Sequence, residues 1–196
     1  MTRLRETALA ARQRISVELL AVVIALIPIA VAIARRSGGR WIPLGDNALI
    51  ELRSRDVFTL RHFPLLGTWS SASLTAGTNL NHPGPLLFDL LAIPVRVFGG
   101  GTGVALGVGL INAVSVVGVA IVGHRVAGRT GALASLAIAT MLCYTLGSGM
   151  LTDPWNPHVL ILPFLFVVLC GWAVASGHMT LLPWMLIAGS LCLQTH

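Results

Sequence analysis

The chain contains no lysine, one tyrosine, three cysteines and seven acids in 196 residues. Only 10% of its residues are charged, where a soluble domain carries about 25%. That shortfall excludes an ordinary water-exposed globular surface. Three cysteines exclude a disulfide framework, and Cys143, Cys170 and Cys192 all fall in apolar stretches without metal-ligand spacing. They read as small buried hydrophobes. All 13 basic residues are arginine, and the formal charge is +6. Such a charge would suit nucleic acid in a soluble protein. Here Arg3, Arg5, Arg12 and Arg14 precede the first apolar run and read as a cytoplasmic anchor, so no nucleic-acid partner is expected.

What is present is grease. Hydrophobic residues make up 55% of the chain and mean hydropathy is +0.84. The expected fold is all-α: a polytopic transmembrane helix bundle, built as a single transmembrane module over 1–196. Residues 1–14 form a cytoplasmic N-terminus. Residues 15–34 make the first span, about 20 residues, enough for a ~30 Å hydrocarbon core. That run is longer than a signal-peptide core, which favours an uncleaved anchor. Glu18 near its start is placed to snorkel or to pair with Arg14.

Residues 35–83 then form a long extracytoplasmic loop. Within it, 46–60 carry Ala48, Leu49, Leu52, Val57 and Leu60 among charges, which predicts an amphipathic interfacial helix. The Ser/Thr/Gly/Asn-rich stretch 67–81 reads as flexible loop. Residues 84–196 hold further apolar segments. The last starts near Met179 and reaches His196 with no charged flank, so we expect a truncated span belonging to a longer protein or a shortened copy. No internal repeat is apparent.

The segment 84–98 leaves two topologies open. It has 15 residues and contains Asp89 and Pro94, marginal for a span. If it crosses, Arg125 and Arg129 fall outside and Asp153 inside. If it is re-entrant or interfacial, both arginines fall inside, as the positive-inside rule prefers, and Asp153 shares the outer side with Asp46. The second arrangement is favoured.

Polar chemistry concentrates in a few places. Asp46, Glu51 and Asp56 lie together in the first loop with Arg53, Arg55 and Arg61. For Glu51, Arg53 and Arg55 a solvated face with local ion pairs is the better reading. Asn81-His82-Pro83-Gly84-Pro85 stands just before an apolar run, where proline fixes the backbone and His82 can meet a lipid phosphate; an incidental interfacial histidine is the plainer alternative. Thr152-Asp153-Pro154-Trp155-Asn156-Pro157-His158 is a second polar knot, in which Asp153 and His158 could serve substrate or metal. Asp89 is a functional suspect unless it sits at the interface or pairs with Arg96. Trp155, Trp172 and Trp184 read first as anchors or packing, with sugar stacking by Trp155 as the sharper option.

An uncleaved first span, Gly45-Asp46 opening an outer loop, His82-Pro83-Gly84-Pro85-Leu86, and a later Thr152-Asp153-Pro154 together form a pattern. It resembles the N-terminal part of a GT-C-type glycosyltransferase, closest to the actinobacterial mannosyl- and arabinosyltransferase-like membrane proteins. The resemblance implies sugar transfer from a polyprenyl-phosphate donor to a cell-envelope glycan or protein acceptor, at the outer face of a cell membrane. By motif position Asp46 takes the role of general base or metal-proximal acid, His82 contacts the donor phosphate, and Asp153 lies near the same cavity. A divalent metal ion is the cofactor such a site would take. Three features depart from the family: Asn47 stands where a second acid is usual, Gly84 interrupts the proline pair, and most later spans and the C-terminal domain are missing. The alternative is a truncated or inactive membrane protein acting as an assembly partner. A transporter is disfavoured by the lack of an inverted repeat and of paired intramembrane charges.

Overall fold

The computed structural model describes the backbone of residues 2–38, 41–60 and 62–196, with side chains from residue 17 onward. The side chains of Arg3, Arg5, Arg12 and Arg14, and residues Arg40 and Arg61, lie outside the described residues. The described residues are mostly helical and contain no strand. The elements are α1 (Thr2–Gly38), α2 (Asp46–Asp56), α3 (Ala72–Ala76), α4 (Leu86–Phe98), α5 (Gly100–Met150), α6 (Asn156–Val159), α7 (Ile161–Ala175) and α8 (Leu182–Thr195), with one 3₁₀ turn at Met179–Leu181. Among the described residues, two helices are long and apolar enough to cross a membrane: Val17–Gly38, with mean hydropathy 2.8, and Gly100–Met150, with 2.3.

The second of these is a hairpin. Its path breaks at Ala127 and Gly128. Gly128 adopts φ 59° and ψ −148°, a conformation open to glycine and to little else. The arms, residues 100–126 and 129–146, return along each other. Where they cross, backbone meets backbone: a Cβ on Gly123 would lie 2.6 Å from the Gly131 carbonyl oxygen. Arms this close gain dispersion contacts that a side chain would forbid.

Helix α1 packs along both arms through Ala25, Ile29 and Ala32, spaced on one helical face. Facing them are Val116, Val119 and Ala120 of the first arm and Leu136, Ala139 and Cys143 of the second. At one end of the bundle Glu18 meets His124 Nδ1 at 3.2 Å. Glu18 thus has a partner across helices; its expected alternative partner, the Arg14 side chain, lies outside the described residues. At the other end Arg36 donates to the Gly149 carbonyl at 3.0 Å and covers the Trp41 ring at 3.9 Å.

Helix α4 never reaches the His124 end. It runs antiparallel beside the start of α5, with Leu91 against Gly107 and Pro94 and Val95 against Gly103. Its outer face carries α2, whose buried positions are Ile50 and Ser54, with Val57 just beyond. The predicted helix over 46–60 therefore ends at Asp56, because Val57 turns extended at ψ 139°. Its buried side meets α4, while Leu52 points outward at 58% exposure. Arg96 donates to the Arg55 carbonyl at 3.1 Å and to that of Val57, closing the C-terminal carbonyls of α2. Asp89 is not its partner. Glu51 and Arg55 form the expected local ion pair.

The glycine crossing sets a testable limit. Gly131→Val drives a branched side chain into the Gly123 backbone and should cost about 1–3 kcal/mol, as overpacking does. Gly189→Ala, in α8 with open space around it, should cost nothing measurable. Apparent melting temperatures of the purified protein compare the two, and equal temperatures would remove the crossing as a source of stability.

Candidate functional site

Two polar loops meet at the Asp46 end of the bundle. The first runs from 67 to 84 and is ordered, contrary to its flexible composition. Gly67 N–H donates to the His82 carbonyl at 3.0 Å and His82 N–H to the Thr68 carbonyl at 2.9 Å. Ser70 N–H donates to Leu80, and Ser73 Oγ both accepts from Leu80 N–H at 2.9 Å and donates to its carbonyl at 3.1 Å. Helix α3 fills the tip, closed by Gly77 in the left-handed region. These bonds satisfy a backbone that has no sheet of its own, and they set Thr68 beside His82.

The second loop is the knot 151–158, returned to this end by the α5 hairpin. Asn112 Nδ2 donates to the Leu151 carbonyl at 3.0 Å and holds its start. Asn156 joins the two loops. Its buried amide nitrogen donates to Thr68 Oγ1 at 3.0 Å and to the Thr195 carbonyl of α8 at 2.7 Å. Beside this junction Gly84 N–H donates to the Gln194 carbonyl at 3.1 Å, and the His82 and His196 rings stack with centroids 5.6 Å apart.

The result is a cavity of about 290 Å³. Asp46 and Leu49 of α2 line one side; Thr68, Trp69, Ser70, Ser71 and His82 come from the first loop; Trp155, Asn156, Pro157 and His196 close it. Asp46 is the first residue of α2, where the helix N-terminus favours a carboxylate, so its placement has a structural reason as well. Burial, and then the neighbouring His196, push the His82 imidazole below its ordinary value of 6.5. In the free protein at neutral pH it is therefore an uncharged ring with a hydrogen to donate, not a standing cation.

Asp153 and His158 reach the neighbourhood but do not line this cavity. Their side chains bond each other, Oδ2 to Nδ1 at 2.7 Å, and Asp153 Oδ1 accepts from the Trp155 N–H at 3.3 Å. The His158 ring meets Trp155 edge-on at 4.7 Å. The pair thus props Trp155 at the cavity wall. Among the described residues no group of three or more His, Cys, Asp or Glu could hold a metal ion. Sequence reasoning missed Thr68, Trp69, Ser70, Ser71, Asn156 and His196 as lining residues. The only local signal was hydroxyl and amide side chains next to proline-bounded turns.

The stacked histidines give a direct test. Folded His82 takes a proton less readily than the unfolded chain, so its contribution to stability is full above about pH 6.5 and falls as pH drops through its lowered value. Replacing His196 by glutamine removes a like charge and should raise the His82 midpoint in an NMR titration. A midpoint that stays put would show that burial alone sets it.

Comparisons with known protein families, with curated proteins and with solved structures find no match.

Proposed function

We propose that this protein is a multi-pass membrane glycosyltransferase that moves a sugar from a polyprenyl-phosphate donor to a cell-envelope acceptor. The observation that carries the reading is one polar cavity that holds both Asp46 and His82. Its chemistry suits a sugar. Trp69 and Trp155 offer flat apolar faces, while the Thr68, Ser70 and Ser71 hydroxyls and the Asn156 amide offer hydrogen bonds to a polyol. The bundle supports a membrane setting. Outward positions of α1 are Leu19, Leu20, Val23, Ile24, Ile27 and Val31, each at least 40% exposed, a patch too apolar for water. Arg125 and Arg129 sit at the hairpin turn far from the cavity, so the positive-inside rule puts that turn in the cytoplasm and the cavity outside.

In transfer, the acceptor hydroxyl oxygen bonds to the anomeric carbon of the sugar. The bond from that carbon to the phosphate oxygen breaks, and the phosphate leaves with the electron pair. Asp46 accepts the hydroxyl proton. His82 donates its N–H to the departing phosphate, and the arriving anion draws its midpoint upward. Asp153 and His158 hold Trp155 in place and take no proton in this scheme.

A second reading, a non-catalytic assembly partner, draws on the self-sufficiency of these groups. Asp46 sits where a helix N-terminus favours a carboxylate, and Asp153 and His158 bond each other.

Two experiments separate the readings. Membranes carrying the protein should release polyprenyl phosphate from a mannose- or arabinose-charged donor. Asp46→Asn should slow this by about 10²–10⁴, the value of a general base, while Glu51→Gln costs little. Equal losses would reduce the loop to a charged surface, and no release by the wild type with either donor would favour the assembly partner. Topology is checked by impermeant thiol labelling of intact cells. Asp46→Cys and Asp153→Cys should both label, and Arg125→Cys only after permeabilisation. Opposite behaviour of positions 46 and 153 would break the shared-side arrangement.

A further inference from the structure

A second cavity, of about 390 Å³, opens on the flank of the bundle between α5, α7 and α8. Its wall is apolar: Val114, Ile121, Phe166 and Trp184 line it, and Gly118 forms a floor where a Cβ would lie 2.6 Å from the Phe166 ring. One charged residue stands among them, Arg125, at the hairpin turn. Its backbone carbonyl is held by His178 Nε2 at 2.9 Å, which ties the turn to the segment between α7 and α8. Its guanidinium is exposed and has no carboxylate partner among the described residues. The one described carboxylate at this end, Glu18, is engaged with His124.

We propose that this flank binds an anionic phospholipid, with the phosphate on Arg125 and one acyl chain along Ile121, Gly118 and Val114. Length supports a single leaflet. From Val114 to Arg125 a helix rises about 16 Å, close to half of a ~30 Å hydrocarbon core. Charge complementarity selects the headgroup, because a guanidinium with no carboxylate partner among the described residues forms a fork to phosphate oxygens. Exposed Val114, Ile121 and Trp184 would otherwise face outward without a partner. The adjoining cavity above, about 350 Å³ and lined by Leu90, Pro94 and Gly107, lies in the other half of the bundle and carries no charged residue. This inference rests on the membrane orientation proposed above and is independent of the transfer chemistry.

The full chain is reconstituted in nanodiscs of equal phosphatidylglycerol and phosphatidylcholine, and lipids retained after mild detergent release are counted by native mass spectrometry. The wild type should keep phosphatidylglycerol preferentially. R125Q should lower that preference about five-fold, the equivalent of the ~1 kcal/mol one basic residue contributes near an anionic surface, and R125K should restore only part of it, because the ammonium keeps the charge without the fork. I121W, which fills this cavity, should lose the retained lipid, while L90W, which fills the upper one, should not. An R129Q loss as large as that of R125Q would mean diffuse surface charge and overturn the site. So would lipid still retained by I121W, or lipid lost only from L90W. Helical circular dichroism and gel filtration establish that each variant is folded. Failure to enter nanodiscs at all would instead count against the membrane reading.

Discussion

The reversal at Gly128 is the constraint on which the site depends. A continuous helix from Gly100 to Met150 would carry the knot at 151–158 some 75 Å from the start of α5 at 1.5 Å per residue. The glycine-only conformation at 128 and the bare backbones of Gly123 and Gly131 fold that length in two. Only then can Asn156 reach Thr68. The polar cavity is thus a product of close backbone packing at the hairpin turn, at the opposite end of the bundle from its lining residues.

Given that placement, a single buried amide organises the polar end. Asn156 joins the first loop, the second knot and the end of α8 through two hydrogen bonds. A buried amide left without partners is costly, so the three segments are held to a geometry that satisfies it. The His82–His196 stack and the Gly84–Gln194 bond lie beside the same junction and share its alignment. The wall of the cavity comes from four separate stretches of chain, which is why its shape tolerates little slack.

Charge is used sparingly and mostly for structure. Arg36 fastens α1 to the Gly149 carbonyl just beyond the second arm and to Trp41, Arg96 closes α2, and Asp153 with His158 braces Trp155. Two charges remain with no structural partner among the described residues and with a cavity before them. One is Asp46, in the polar cavity, and the other is Arg125, on the apolar flank. They lie at opposite ends of the bundle, and the functional readings rest on them.

Composition and local pattern were enough for the helical class, the apolar runs, the Glu51–Arg55 pair and Asp46 as the opening residue of a loop helix. Each of these depends on neighbours within a turn or on the cost of placing charge in an apolar run, and such effects are written in short windows of sequence. Whether 84–98 crosses the bundle could not be read that way, because its length fits either path. Contact with Gly103 and Gly107 decided that it lies beside α5. The order in 67–82 was equally hidden, since serine, glycine and asparagine look the same whether their hydrogen bonds go to water or to a folded loop. Asn156 became part of the cavity through its bond to Thr68, 88 residues away, and His196 through its stack on His82, while Asp153 and His158 turned toward each other and away from it. Those contacts follow from how the helices pack, and helix packing is a property of the assembled bundle that no single stretch of the chain carries.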